Sequence, residues 1–299
     1  MNKKEDSKVD VVVVTFNRLK LLKECINALL AQGDSLSHIF VIDNKSTDGT
    51  GEFLTNIRNE KIITETLSEN IGGAAGFEYG VGKAMSEGSG DYIWIMDDDT
   101  IPQIDALNSL VHSAEILKGE FGFLCSNVRW TDGSPSNIAT PAKDWPDKIN
   151  ENLVKVEAAT FVSILVPRKV ILSVGLPIGS MKIWGDDTEY TRRLSTYMPS
   201  YFDIKSDVIH KSSYGATTES LKNTTPDRLW RYKNSFRNGI YISRKYDSNK
   251  KVVKNVIINI VIGIKALGAT DNRFKRFSTA IKGTMAGFRF NPEIKIKNK

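Results

Sequence analysis

Three adjacent aspartates, Asp97, Asp98 and Asp99, are the first feature of the sequence that could do chemistry. They directly follow residues 91–96, a short apolar run that is typical of a buried strand. Adjacent carboxylates repel one another, and a divalent cation bound by alternate carboxylates at a strand end would relieve that repulsion. A hard cation held by one or two carboxylates usually keeps positions open for phosphate oxygens. The alternative is a solvated acidic turn before a helix predicted to start after residue 102.

A second acidic group lies at residues 184–190, with the sequence WGDDTEY. A carboxylate such as Asp186 or Asp187 could accept a proton as a general base, and Trp184 could stack on the apolar face of a sugar. The alternative is that the acids form the first turn of a helix predicted over residues 188–198, where the helix dipole favours negative charge. That alternative explains the acids but not the adjacent tryptophan and glycine together.

Two further features are ambiguous on their own. Residues 70–77, NIGGAAGF, contain three glycines that let the backbone approach a ligand closely or let a helix pack tightly. The stretch matches neither the phosphate-binding loop nor the dinucleotide-binding glycine pattern. His210 ends a strand-like run, residues 202–210, and could join the aspartates because imidazole suits transition metals such as manganese. A lone histidine more often has a structural role, so both interpretations stay open.

Alternating strands and helices must position these residues. Short apolar runs predict buried strands, helical spacing predicts a helix over residues 19–32, and the alternation indicates a parallel sheet covered by helices on both faces. Ligands of such sheets bind beyond the carboxyl ends of the strands. The predicted strands of this half are residues 10–17, 38–43, 61–67 and 91–96, and polar clusters follow three of them at residues 16–18, 43–44 and 97–99. Farther along, residues 156–166 predict one more strand.

Composition excludes several classes of protein. Hydrophobic residues make up 40% of the 299 residues, which is too many for a disordered chain. Two cysteines exclude a disulfide framework and a cysteine-based zinc site, and they fit a reducing compartment. The first ten residues contain no apolar signal core, which predicts a cytoplasmic protein. The longest apolar stretch, residues 256–264, is far shorter than the about 20 residues that span a bilayer.

Charge is distributed unevenly along the chain. Residues 228–299 contain 18 basic and 3 acidic residues, a net charge of +15, whereas residues 1–227 contain 23 basic and 32 acidic residues, a net charge of −9. A basic C-terminal region suggests an acidic partner, either nucleic acid or an anionic membrane surface. The pattern predicts one α/β domain over residues 1–220 and a basic helical region over residues 221–299.

Taken together, these motifs resemble glycosyltransferase family 2, whose members have the GT-A fold. The resemblance covers about the first 245 residues, and within the family it is greatest to bacterial galactofuranosyltransferases. It implies a Rossmann-like, mostly parallel sheet flanked by helices. The motifs, in order, are TFNR at residues 15–18, IDNKSTDGT at 42–50, NIGGAAGF at 70–77, DDDT at 97–100, WGDDTEY at 184–190, His210, and YKNSFRN at 232–238.

The same resemblance implies a role for individual residues. A nucleotide-sugar donor would be bound by Thr15, Arg18, Asp43, Asn44, Asn70, Gly73, Asp97 and Asp98. A Mn²⁺ or Mg²⁺ ion bridging the donor diphosphate would be bound by Asp97, Asp99 and His210. The base that deprotonates the acceptor hydroxyl would be Asp187, and the acceptor site would be shaped by Trp184 and Asp186.

The resemblance also implies an activity and a location. We expect transfer of galactofuranose from UDP-galactofuranose to a bacterial surface glycan such as O-antigen, capsule or cell-wall galactan, with a lipid-linked acceptor. We expect the enzyme at the inner face of the cell membrane, attached peripherally through its basic tail. The alternative for the tail is a set of helices packed on the catalytic domain with their charges in solvent.

Several other functions fit only part of the sequence. A rhamnosyltransferase using dTDP-rhamnose shares the glycine-rich stretch and is the nearest alternative. A sugar-1-phosphate nucleotidyltransferase would need a glycine-rich basic loop where TFNR stands, and a non-catalytic scaffold would not need every acidic position filled. A nucleic-acid-binding protein fits the basic tail, but no zinc motif, aromatic RNA-binding signature or clear helix-turn-helix is present. We therefore expect no nucleic-acid partner.

Overall fold

The computed structural model describes residues 7–212 and 220–296 of the protein. Residues 1–6, part of the N-terminus in which no signal core is predicted, lie outside the described residues. The described strands are β1 (Val9–Thr15), β2 (Leu36–Asp43), β3 (Ile62–Thr66), β4 (Tyr92–Asp97), β5 (Thr100–Pro102), β6 (Leu124–Arg129), β7 (Thr140–Pro141), β8 (Leu153–Ala158), β9 (Ile164–Pro167) and β10 (Ser200–His210). The described α-helices are α1 (Leu19–Leu30), α2 (Thr50–Asn56), α3 (Gly73–Glu87), α4 (Ala106–Ile116), α5 (Arg168–Val174), α6 (Asp186–Tyr197), α7 (Leu229–Tyr246), α8 (Asn249–Ala266) and α9 (Arg273–Arg289).

All the described strands belong to one sheet with the order β3-β2-β1-β4-β9-β6-β10-β8-β7, and β5 pairs with β10. The parallel part that the sequence predicts is confirmed, because β1 pairs in parallel with both β2 and β4, and β2 with β3. The other half is mixed: β9 runs antiparallel to β4 and β6, while β10 is parallel to β6 and antiparallel to β8. This mixed half completes the site described below.

The prediction of one strand over residues 156–166 is wrong. The segment contains the end of β8 and most of β9, which occupy different places in the sheet: β8 pairs with β10, and β9 lies between β4 and β6. The residues that join them are also largely buried, including Phe161 and Val162. Because apolar residues predominate throughout the segment and no glycine or proline separates the two strands, the sequence offers little signal of the break.

Strand β1 shows how the sheet holds its helices. Its alternate residues face opposite sides, so Val11 and Val13 share one buried cluster with residues of α1 and α4, whereas Val12 and Val14 share another with residues of α3 and α6. Helix α3 lies very close to the strand. A Cβ atom added at Gly76 or Gly80 would come within 2.7 Å of a β1 valine side chain. The packing interpretation of the glycine-rich stretch is therefore confirmed at Gly76.

The basic C-terminal region forms the long helices α7, α8 and α9, as predicted. Helix α9 packs on α7 so closely that a Cβ atom added at Gly283 would lie 2.7 Å from the carbonyl oxygen of Lys233. Helix α7 also contacts α6, so the helical region adjoins the sheet domain. No helix within the described ranges is both long and apolar enough to cross a membrane.

Candidate active site at the ends of the strands

His210 lies beside the aspartates because β5 pairs antiparallel with the end of β10. Thr100, the first residue of β5, is the pairing partner of His210, and the Lys211 N–H donates to the carbonyl of Asp99 at 2.8 Å. One ligand atom from each of Asp97, Asp99 and His210 lies within 4.8 Å of the others. Of the two interpretations of His210, the structure thus favours the one that groups it with the aspartates.

The cluster of Asp97, Asp99 and His210 has the composition of a cation site. The Oδ1 atom of Asp99 is buried and accepts no hydrogen bond from the described residues, and it lies 3.2 Å from His210 Nε2. A buried carboxylate oxygen without a donor is costly unless something else compensates it. Carboxylate oxygens suit hard divalent cations, and imidazole extends the set to transition metals. The residues present therefore fit a cation such as Mn²⁺ or Mg²⁺.

Asp98 points to the other side of the strand end and has protein partners. The Thr15 hydroxyl donates to Asp98 Oδ2 at 2.7 Å. Arg18 donates to Asp98 Oδ1 at 3.1 Å and to Asp99 Oδ2 at 2.5 Å, so one guanidinium bridges both carboxylates. Burial raises the pKa of Asp98 to about 6, although the Arg18 charge and the Thr15 hydrogen bond oppose this rise. Arg18 thus offsets part of the repulsion that the three aspartates create.

Asp97 and Asp99 differ in how readily they ionise. Burial and the charge of Asp99 raise the pKa of Asp97 to about 8. Burial also opposes ionisation of Asp99, but the adjacent His210 and Arg18 hold its pKa below the ordinary value. Cation binding to Asp97 would displace a proton near neutral pH, so the affinity of the cluster for a cation should rise with pH.

Two residues that the sequence did not single out fix the ring of His210. Asn137 Oδ1 lies 3.0 Å from His210 Nδ1, and the Trp130 ring stacks on the imidazole with centroids 5.1 Å apart. In neutral His210, an Nδ1–H that donates to Asn137 leaves the Nε2 lone pair available to a cation shared with Asp99. Both residues lie in the segment between β6 and β7, and no spacing in the sequence links them to His210.

A cavity of about 1040 Å³ opens beside the aspartates. Its wall is formed by the ends of β1 and β4, the N-terminus of α3 and one side of α7. Of the residues predicted to bind the donor, those that line it are Thr15, Arg18, Asn44, Asn70, Gly73, Asp97 and Asp98. Wall residues that the sequence did not assign a role are Trp230, Arg231, Lys233, Asn234 and Arg237 of α7, together with Lys182.

Asp43 is the predicted donor residue that does not line this cavity. It is fully buried, and its Oδ1 accepts the Ser46 N–H at 2.9 Å while its Oδ2 has no donor among the described residues. Its neighbour Asn44 reaches the wall and accepts the Ile71 N–H at 2.9 Å. Asn44 therefore ties the glycine-rich stretch to the end of β2.

The second acidic group forms the first turn of α6, which begins at Asp186, two residues earlier than predicted. Trp184 and the following glycine have φ values of 60° and 94°, and this left-handed pair turns the chain into the helix. Burial and the charge of Asp187 raise the pKa of Asp186 to about 7. Burial also raises the pKa of Asp187, against hydrogen bonds from Thr188. The turn thus holds two carboxylates that are harder to ionise than ordinary aspartates.

The segment before this turn is held by α7. Asn238 is fully buried, and its Nδ2 lies within 3.2 Å of the carbonyls of Met181, Ile183 and Trp184. The Trp184 side chain remains 38% exposed and meets the edge of Tyr232 with ring centroids 5.2 Å apart. A residue of the YKNSFRN motif therefore positions the backbone that presents Trp184.

Comparison with known proteins agrees with this site. The model of the family described as Glycosyl transferase family 2 matches residues 10–157. The galactofuranosyltransferase GlfT1 of Mycobacterium tuberculosis is 30% identical over 203 residues, which cover 62% of this chain and 64% of that protein. GlfT1 of Mycolicibacterium smegmatis is 27% identical over 205 residues, 62% of this chain and 65% of that protein. The matched region thus spans just under two thirds of these relatives.

A solved structure shows the same fold at low sequence identity. The crystal structure of GalNAc-T7 with UDP, GalNAc and Mn²⁺ superposes with a TM-score of 0.62 at 14% identity, covering 92% of this chain and 54% of that one. Together with the parallel sheet core and the order of motifs, these matches establish the class. The chain belongs to glycosyltransferase family 2 and has the GT-A fold.

Replacing Asn137 by alanine should weaken Mn²⁺ binding about 10- to 100-fold, because the acceptor that orients the His210 ring is lost. Isothermal titration with MnCl₂ at fixed pH measures this directly. The control is Asn127→Ala, which removes a hydrogen bond to Asp207 at the surface and should leave the Mn²⁺ affinity unchanged. Equal affinities of Asn137→Ala and the unmodified protein would contradict the orienting role.

Proposed function

We propose that this protein is an inverting, metal-dependent galactofuranosyltransferase that uses UDP-galactofuranose and acts on a bacterial surface glycan. The observation that supports it most is the convergence of Asp97, Asp99 and His210 beside a large cavity in a family 2 chain. The choice of galactofuranose is supported by the names of the mycobacterial relatives.

The donor would lie in the cavity with its diphosphate next to the aspartates. Thr15 and Arg18 hold Asp98 in place at that end, and Asn44, with Asp43 behind it, would recognise the uracil ring. The N-terminus of α3 borders the same cavity, and the positive end of its helix dipole favours an anion there. Gly73 at this terminus has no atom within 4 Å of an added Cβ, so a ligand can approach the backbone there.

A Mn²⁺ or Mg²⁺ ion would be held by Asp97, Asp99 and His210, and it would supply Lewis-acid stabilisation of the charge on the leaving diphosphate. The donor set supports this assignment, and the GT-A structure of similar fold contains UDP and Mn²⁺. Asn137 and Trp130 would keep the His210 ring in the orientation that directs Nε2 to the cluster.

The acceptor hydroxyl needs a base, because it is a poor nucleophile while protonated. Asp187 would accept that proton as the hydroxyl oxygen bonds to the anomeric carbon and the diphosphate departs from the opposite face. A single displacement of this kind inverts the anomeric configuration. The raised pKa of Asp187 brings its basicity closer to neutral pH, where proton transfer is most efficient. Trp184 and Asp186 would shape the acceptor site.

Nucleotide binding is the first test of the proposal. With Mn²⁺ present, a 100-fold excess of UDP over its Kd should stabilise the protein by about 2.7 kcal/mol and raise the unfolding temperature by about 5 °C. dTDP should have a much smaller effect. A larger shift with dTDP would contradict the UDP assignment and favour the rhamnosyltransferase alternative, and a panel of UDP and dTDP sugars scored for nucleotide release would then identify the sugar.

Replacing Asp187 by asparagine should leave UDP binding nearly intact but lower transfer by about 10²- to 10⁴-fold, because the proton acceptor is lost. The control is Asp132→Asn in an exposed turn, which should retain activity. In the unmodified enzyme, kcat/KM should fall as the pH decreases through the pKa of Asp187, which burial raises above the ordinary value of about 3.9. Substantial transfer by Asp187→Asn would rule out this base.

The proposed function includes attachment to an anionic membrane, and helix α8 supports this part. One side of α8 exposes large aliphatic residues and the helix contains no acidic residue. Its four lysines surround this stripe, which suits shallow insertion combined with electrostatic attraction. The exposed aliphatic residues are Val253, Ile257, Ile258, Ile260, Val261 and Ile264.

The opposite side of α8 connects this surface to the cavity. Gly263 packs closely on Ala280 of α9, and Asn259 donates to Thr284 Oγ1 of α9 at 3.0 Å. Ala286 on the same helix lines the cavity. The aliphatic stripe is therefore one helix layer from the proposed active site, a suitable distance for an enzyme that acts on a lipid-linked acceptor.

The double substitution Ile257→Glu and Ile264→Glu should reduce co-sedimentation with phosphatidylglycerol-containing vesicles more than tenfold, because both apolar burial and charge attraction are lost. The control is Ile104→Glu, which changes an isoleucine that is even more exposed but lies outside the basic region. Unchanged co-sedimentation of the double variant would contradict membrane attachment. So would light scattering that shows a dimer which the double substitution dissociates.

A further inference from the structure

Helix α7 brings positive charge into the same cavity as the aspartates. Arg231 and Lys233 line the cavity from this helix, and Lys182 lines it from the segment before α6. Helix α7 contains no acidic residue over its whole length. A positive wall that is not neutralised by its own helix is suited to an anionic ligand.

The contacts of the basic side chains in the cavity wall show which of them are already bound by the protein and which are available to a ligand. Arg237 is engaged by the protein, since its Nη2 donates to the carbonyls of Ser180 and Met181 and its guanidinium lies 4.0 Å from the centre of the Phe290 ring. Arg231 differs, because its Nε is buried and has no acceptor among the described residues. Its guanidinium carbon lies 5.8 Å from the centre of the Trp230 ring.

A buried guanidinium N–H without an acceptor is unfavourable in the free protein. Because Arg231 also lines the cavity, a movement of its side chain towards a bound anion would supply the missing acceptor. Lys182 and Lys233 are exposed and form no ion pair within the described part of the chain. Guanidinium donors match phosphate oxygens in geometry, and lysines add charge without strict orientation.

We propose that Arg231, with Lys233 and Lys182, forms a subsite for a phosphate or diphosphate group on the α7 wall of the cavity. The assignment of that group rests on the proposed transferase function. Two sources offer the same chemistry: the diphosphate of the nucleotide-sugar donor, and a phosphate-bearing carrier attached to the acceptor glycan.

The test compares Arg231→Gln and Lys233→Gln with Lys245→Gln, which removes an exposed lysine from the last turn of the same helix. Calorimetric titration with inorganic pyrophosphate, UDP and uridine is carried out with each variant. The subsite predicts that Arg231→Gln weakens pyrophosphate binding at least tenfold, leaves uridine binding unchanged, and does not lower the unfolding temperature. Lys233→Gln should weaken pyrophosphate binding less, and Lys245→Gln should not alter it.

The source of the phosphate is distinguished by two further measurements. A tenfold loss of UDP affinity in Arg231→Gln assigns the subsite to the donor. Unchanged UDP affinity with a tenfold higher KM for a prenyl-diphosphate-linked glycan, but not for the same glycan on an uncharged alkyl group, assigns it to the acceptor. The subsite would be overturned if Arg231→Gln and Lys233→Gln both kept the wild-type affinities for pyrophosphate and UDP and the wild-type KM for the glycan acceptor. If the transferase proposal fails, the wild-type protein will be inactive. The pyrophosphate titration then still tests whether the phosphate subsite exists.

Discussion

Repulsion among three consecutive carboxylates at the end of a buried strand is the constraint around which this site is organised. The chain separates them: Asp98 turns towards Thr15 and Arg18, whereas Asp97 and Asp99 face His210. Arg18 also reaches Asp99, so one positive charge lies between two negative ones. The antiparallel pairing of β5 with β10 fixes this arrangement, because Asp97 ends β4 and the turn between β4 and β5 consists of Asp98 and Asp99.

The parallel half of the fold could be predicted from sequence because each of its strands is a short, isolated apolar run between helical segments. The second half could not, because β8, β9 and their connection form one predominantly apolar stretch without a glycine or proline between the strands, yet the two strands lie at different places in the sheet. The site shows the same division. The motifs at the strand ends could be predicted from the sequence. Asn137 could not, because it reaches His210 from a loop that is distant in the sequence. Arg231 could not either, because its place in the cavity wall depends on how α7 packs.

The charge imbalance of the chain has a structural counterpart at the cavity. The N-terminal 227 residues have a net charge of −9 and the remainder +15, and the two groups meet where Asp97 and Asp98 share a cavity with Arg231 and Lys233. Helix α7 is thus part of the candidate active site rather than an appendage to it. The remaining positive charge lies mainly on α8 and α9, which also expose large apolar side chains: aliphatic ones on α8, and two phenylalanines and a methionine on α9.

The hydrogen bonds of Asn238 leave the side chains of the segment before α6 free to vary. Its amide binds the backbone of residues 181–184 and makes no demand on their side chains. The path of this segment is therefore encoded in α7, while Trp184 projects from it with a substantial part of its ring exposed. Such a division lets natural variation or engineering exchange the outward side chains without rebuilding the loop. The backbone between α5 and α6 would thereby stay fixed while its exposed side chains vary.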